Sequence, residues 1–168
     1  MKKHLKSVAS LFAICAAIAI LLAITNYFTA PIIADYEEKK SNAALLEVLP
    51  DAENFEKVDV KDLSETVTEA YKADNGGYVF KLVTIGYGSD FVIMCGINPD
   101  GTVSKAICLS SNETLEKEKT YGENFTGLDT DSVDSVDTIA GATKTTKAYK
   151  NAVKAALDSF ANLKGGGK

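Results

Sequence analysis

Apolar residues fall along the chain in three different rhythms. From Val8 to Phe28 they are almost unbroken, a run of about 21 residues that as a helix could cross a hydrocarbon layer of about 30 Å. From about Ile33 to Leu49 a second helical stretch is expected, with Tyr36, Lys40, Ala43, Ala44, Glu47 and Val48 along it. Pro31 is expected to end or bend the first helix, and Pro50-Asp51 to stop the second. Residues 53–75 are polar, acidic and weakly patterned, with a strand expected at 66–72. Tyr78–Ile85, Asp90–Ile97 and Thr102–Leu109 are rich in β-branched and aromatic residues. Gly86-Tyr87-Gly88-Ser89 and Asn98-Pro99-Asp100-Gly101 separate them as turns, so the stretch predicts a meander of antiparallel strands. After Lys144 the rhythm changes again: Tyr149, Ala152, Val153, Ala156, Phe160 and Leu163 recur at steps of three and four, the period of one helix face.

These patterns predict an order along the chain. Residues 1–7 form a basic tail, 8–28 a transmembrane helix, 29–52 a membrane-proximal helical stalk, 53–163 one folded domain and 164–168 a disordered tail. Lys2, Lys3 and Lys6 precede the apolar run and Asp35, Glu37 and Glu38 follow it. The bias of basic residues toward the cytoplasm puts the N-terminus there and the domain outside, on a single-pass anchor in the cell (inner) membrane. The run is longer than the apolar part of a signal peptide, and Asn26-Tyr27-Phe28-Thr29-Ala30-Pro31 is a poor cleavage site, so the anchor is expected to stay.

Composition removes several classes of function. Among 168 residues with net charge −5 there is no Arg, the side chain that reads phosphates and guanines through two parallel bonds, so no nucleic-acid partner is expected. One histidine, His4, sits in the basic tail. Neither a histidine-based triad nor an imidazole metal site can form in the domain, and no metal or catalytic acid–base residue is predicted. Cys15 lies in the apolar run; Cys95 and Cys108 lie in strands, as small buried side chains or as a disulfide pair.

Candidate chemistry gathers at Asp137-Thr138-Ile139-Ala140-Gly141-Ala142-Thr143-Lys144-Thr145, just ahead of the last helix. A hydroxyl entering a helix meets free backbone N–H groups and the positive end of the dipole, where a phosphate is favoured. The alternative is that Thr143 or Thr145 only caps the helix. The nonapeptide resembles the flavinylation motif of the FMN-binding domain family, an Asp followed by a Ser-Gly-Ala-Thr-type core. By position Asp137 matches the motif Asp, Gly141 and Ala142 the small core and Thr143 the modified threonine, while Ala140 stands where Ser or Thr is usual. The resemblance implies FMN held covalently as a phosphoester on Thr143, installed by a separate flavin transferase.

Other segments resemble the G subunit of Rnf complexes, a relative of the C subunit of sodium-pumping NADH:quinone reductase. They are Thr29-Ala30-Pro31-Ile32, Ala44 to Ala52, the Gly86-Tyr87-Gly88 turn with its strands, and Phe125-Thr126-Gly127. Those subunits carry a Glu-Thr-Pro-Gly-Leu-Gly segment close to the flavin; here Glu113-Thr114 is followed by Leu115-Glu116-Lys117, without the Pro-Gly. The resemblance implies an α+β fold, an antiparallel sheet packed by the C-terminal helix. It also implies an electron-carrying role among other subunits of a membrane complex that couples ferredoxin:NAD oxidoreduction to Na+ or H+ translocation. Tyr87, Glu113, Thr114 and Tyr121 become candidate flavin neighbours, with Thr145 a secondary hydroxyl. Two alternatives stand beside this reading. One is a free-standing anchored flavin domain for external acceptors; the other is a flavin-free anchored binding or structural module.

Overall fold

The structure, a computed structural model, describes residues 2–88, 90–113 and 116–165, with backbone alone for residues 2–9, Ala34 and Glu37. It divides into two compact units, Met1–Lys40 and Ser41–Lys168.

Helix α1 runs over Lys2–Val48, and from Ser10 onward it is long and apolar enough to cross a membrane. Leu11, Phe12, Leu22 and Phe28 are all well exposed, so protein does not cover this surface. The hydroxyls of Thr25 and Thr29 donate back to Leu21 O and Thr25 O at 2.9 Å, which satisfies them without solvent. Pro31, expected to end or bend the first helix, lies inside α1 and does not end it. Proline removes one N–H and crowds one carbonyl, a local cost of about 3 kcal/mol that the uninterrupted ladder on either side absorbs.

The second unit is built on five antiparallel strands in the order β1-β2-β3-β4-β5: Phe55–Val58, Val67–Ala73, Tyr78–Ile85, Asp90–Ile97 and Val103–Ser110. The expected meander is β3 to β5, and β2 matches the strand expected at 66–72. Both faces of the sheet are covered. On one, α3 (Thr143–Gly165) lays Tyr149, Ala152, Val153, Ala156, Leu157 and Phe160 onto Phe80, Leu82, Phe91, Ile93, Cys95 and Ile97. Each buried Val, Leu, Ile or Phe among them contributes about 1.5–3 kcal/mol of transfer free energy. On the other face lie Ala44, Leu45, Val48, Leu49 and Ala52, with Ala73, Val79 and Met94. Much of the stretch expected as stalk therefore packs on the sheet. Gly96 permits this, since a Cβ there would meet Val48 O at 2.3 Å.

Between β5 and α3 the chain makes a short helix, α2 (Glu118–Tyr121), and 3-10 turns at Gly122–Phe125 and Val133–Ser135. Tyr121, Phe125 and Tyr149 stack there edge-to-face and parallel, with centroids 5.3–5.8 Å apart. Helix α3 continues through Lys164 and Gly165, two residues past the predicted boundary, with Lys164 Nζ donating to Pro99 O.

Candidate functional site

The loop ahead of α3 is fixed by its own backbone. Lys150 Nζ donates to Asp134 O at 3.2 Å and Val136 O at 3.0 Å, and the Tyr121 hydroxyl donates to Asp137 O at 2.9 Å. Ala142 N–H closes a turn onto Ile139 O at 3.0 Å, with Gly141 at φ +82°. A side chain at 141 would have space but not that backbone, which explains the glycine of the motif. The first α-helical bond runs from Thr146 N–H to Ala142 O. The N–H groups of Thr143, Lys144 and Thr145 consequently have no intrahelical acceptor and point out of the positive end of a 23-residue helix.

Three threonines in this first turn have different fates. Thr146, fully buried, accepts Ile139 N–H at 3.2 Å and donates to Ala142 O at 3.0 Å, so it ties the loop to the first turn of the helix. Thr145, 3 % exposed, donates to Glu113 Oε2 at 2.6 Å. Thr143 is exposed, and its hydroxyl has one contact, Ile139 O at 3.5 Å, the limit of a hydrogen bond. Of the three hydroxyls, Thr143 alone is left accessible.

A cleft of about 200 Å³ opens beside it, lined by Tyr87, Glu113, Lys117, Glu118, Gly141, Ala142, Thr143, Lys144 and Thr145. Typical sites that swallow a small molecule run to several hundred Å³, so this one can hold only part of a large cofactor. Tyr87 is 74 % exposed, and Lys144 Nζ sits 5.9 Å from its ring centroid, within cation–π range. Lys117 and Lys144 bring positive charge to the rim.

Two carboxyl groups face the cleft. Glu113 Oε1 accepts the N–H groups of Tyr87 at 2.8 Å and Gly88 at 3.1 Å, while Oε2 takes the Thr145 hydroxyl. It thus pins the β3–β4 turn to the first turn of α3. Gly86 makes room for it: a Cβ would meet Glu113 Oε1 at 2.2 Å. Glu118, 1 % exposed, has no hydrogen-bond partner on either oxygen among the described residues. Burial keeps Cys95, Tyr121 and Tyr149 protonated around pH 7. Burial pushes the Cys95 thiol up to about 12; burial, then the Asp137 charge, raises the Tyr121 phenol. Burial drives Tyr149 well above the usual phenol range.

The structure therefore brings together Thr143, Gly141, Ala142, Thr145, Glu113 and Tyr87 from the residues singled out in the sequence. Tyr121 lies in the core and reaches the site through Asp137 O, while the Asp137 side chain is exposed. Thr114 lies outside the described residues. Cys95 and Cys108 are not joined in a disulfide; they lie on adjacent strands, diagonal to one another in the register Cys95↔Ala106 and Ile93↔Cys108. Sequence reasoning missed Glu118 and Lys117. Glu116 has φ +50°, the left-handed backbone that glycine takes without cost, at the position of the first glycine in Glu-Thr-Pro-Gly-Leu-Gly. Glu118 stands at the second.

Comparison with known proteins agrees with this geometry. Residues 86–158 match the FMN-binding domain family, a segment that runs from the Gly86 turn into α3 and contains every residue lining the cleft. The chain is 28 % identical to the G subunit of the Na(+)-translocating ferredoxin:NAD(+) oxidoreductase complex of Acetobacterium woodii, over 91 % of this chain and 89 % of that one. It is 26 % identical to the G subunit of the proton-translocating ferredoxin:NAD(+) oxidoreductase complex of Clostridium ljungdahlii, over 90 % and 89 %. Against the G subunit of the ion-translocating oxidoreductase complex of Stutzerimonas stutzeri it is 32 % identical over 62 % of this chain and 50 % of the relative. The resemblance read from the motifs is borne out.

Proposed function

We propose that this chain, with its FMN-binding domain segment and its likeness to G subunits, is a membrane-anchored electron-carrying subunit whose FMN is a phosphoester on Thr143. The observation that carries the attachment point is the fate of the three hydroxyls: two are consumed by Glu113 and by the loop, and the third opens on the cleft. The residues present suit a phosphate-tethered flavin. Unpaired amides of Thr143, Lys144 and Thr145 and the ammonium groups of Lys117 and Lys144 offset the phosphate charge, and Tyr87 offers a ring face. FMN supplies the redox chemistry, since it takes up one or two electrons.

In maturation, the bond formed is Thr143 Oγ–P. The hydroxyl proton leaves to the transferase, and the bond broken is the phosphoanhydride of a flavin dinucleotide donor, whose second phosphate departs as a nucleoside monophosphate, with no change of oxidation state. The apolar part of α1 would hold the domain at the membrane with the N-terminus cytoplasmic, and a covalent link would keep the cofactor from diffusing away. Likeness across nine-tenths of two G subunits favours a place in an ion-translocating complex over a free-standing flavin domain.

The test is the mass of the intact protein co-produced with a flavin transferase, read with in-gel ultraviolet fluorescence. Wild type gains one FMN on the peptide holding Thr143, and Thr143→Ala gains none. A wild-type protein that weighs only its amino acids despite an active transferase overturns the reading.

A further inference from the structure

We propose that Glu118 is a binding residue for the flavin, its carboxyl accepting a hydrogen bond from an N–H or O–H donor of the cofactor. The inference rests on the Thr143 reading and deepens it. Both Glu118 oxygens are buried and without a donor among the described residues, yet the residue lines the same cleft as Thr143. Burying a carboxyl with nothing to satisfy it costs several kcal/mol, and folded proteins tolerate this where a ligand completes the set. The donor is not Tyr149, whose buried hydroxyl is itself without a partner. The other carboxyl of the cleft, Glu113, is engaged by two backbone amides and Thr145.

Flavin offers donors of the right kind at two places, the N–H of its pyrimidine edge and the hydroxyls of its ribityl chain. Electron-rich oxygens against the ring oppose the arrival of further electrons, so a ring contact lowers the tendency to be reduced. A ribityl contact restrains the cofactor without touching its potential. In either case the glutamate at 118 carries this role at a position where the Glu-Thr-Pro-Gly-Leu-Gly segment has glycine, which has no side chain to play it.

The experiment compares wild type, Glu118→Gln and Glu118→Ala, each as full chain, with and without flavin. First, protein made without the transferase is melted. Removing an orphaned carboxyl relieves the flavin-free fold, so Glu118→Gln melts higher than wild type; a lower melt means that the carboxyl serves the protein itself and overturns the proposal. Second, flavin-loaded protein is titrated spectroelectrochemically and its fluorescence anisotropy is read. With a ring contact the variants shift the oxidised-to-reduced ratio at fixed potential about tenfold toward reduced, about 30 mV for a two-electron couple. With a ribityl contact the ratio holds and the anisotropy falls. Loaded variants identical to wild type in both overturn this proposal alone, whereas wild type that takes up no flavin overturns it together with the Thr143 reading.

Discussion

Glu113 and Glu118 stand on one cleft, five residues apart, and their surroundings are opposite. The first lies in the loop after β5 and is partly buried, and its two oxygens take two backbone amides and one hydroxyl. The second sits on a four-residue helix, 1 % exposed, with both oxygens unpartnered among the described residues. The difference separates two uses of the same side chain. A carboxyl whose acceptors are all engaged by its own chain is a fastener, and its loss should be felt as stability. A buried one that its own chain leaves unanswered is held for something else, and its loss should be felt when that partner is present.

The contrast breaks most easily from the Glu113 side. Gly86→Ala places a Cβ 2.2 Å from Glu113 Oε1 and 3.0 Å from Phe91, so the carboxyl must leave the turn. The expected loss is about 2–3 kcal/mol in urea unfolding, with several-fold poorer flavin uptake. An unchanged midpoint would mean that the fastener is idle. A gentler cut is Thr145→Val, which keeps the volume and removes one hydrogen bond to a carboxylate. It should cost about 1–2 kcal/mol and leave flavin on Thr143, and a loss of flavin instead would move the attachment point.

Smallest is a pH effect at Glu69, a second fastener far along the sheet. Burial alone would raise its carboxyl, but hydrogen bonds from Tyr71, Lys57 and Lys81 outweigh this and hold it at about 2, against an ordinary 4.5. A lowered folded value means stability that is complete above about pH 4.5 and fades as the pH falls toward 2. Glu69→Gln should flatten that acid limb in a melt-versus-pH series; an unaltered slope would show that these bonds do not form in solution.

Much of this architecture was legible in the sequence because it rests on local pattern. Period three-to-four on Tyr149 to Leu163 gave α3, β-rich runs between glycine and proline turns gave β3 to β5, and a small-residue threonine segment ahead of a helix marked the site. What escaped depends on distant partners. Strand β1 is four residues long, with only its end residues Phe55 and Val58 half-buried, too little alternation to register. Pro31 carries a strong local signal for a break, yet the ladder around it wins. Glu118 lies in a stretch of acidic residues that reads as a solvated face, and only the packing of α2 beneath the cleft turns it inward. Glu113 was picked out by its motif, but its role as a clasp required knowing that residue 87 and residue 145 meet.

The sheet's second cover has a consequence in time. Ala44, Leu45, Val48 and Leu49 leave the ribosome before any strand exists, and the groove over Gly96 that receives Val48 is complete only when β4 has followed. Until then the apolar stripe at the end of α1 has no partner in its own chain. The last turns of α1 thus depend for their cover on strands that are made well after them.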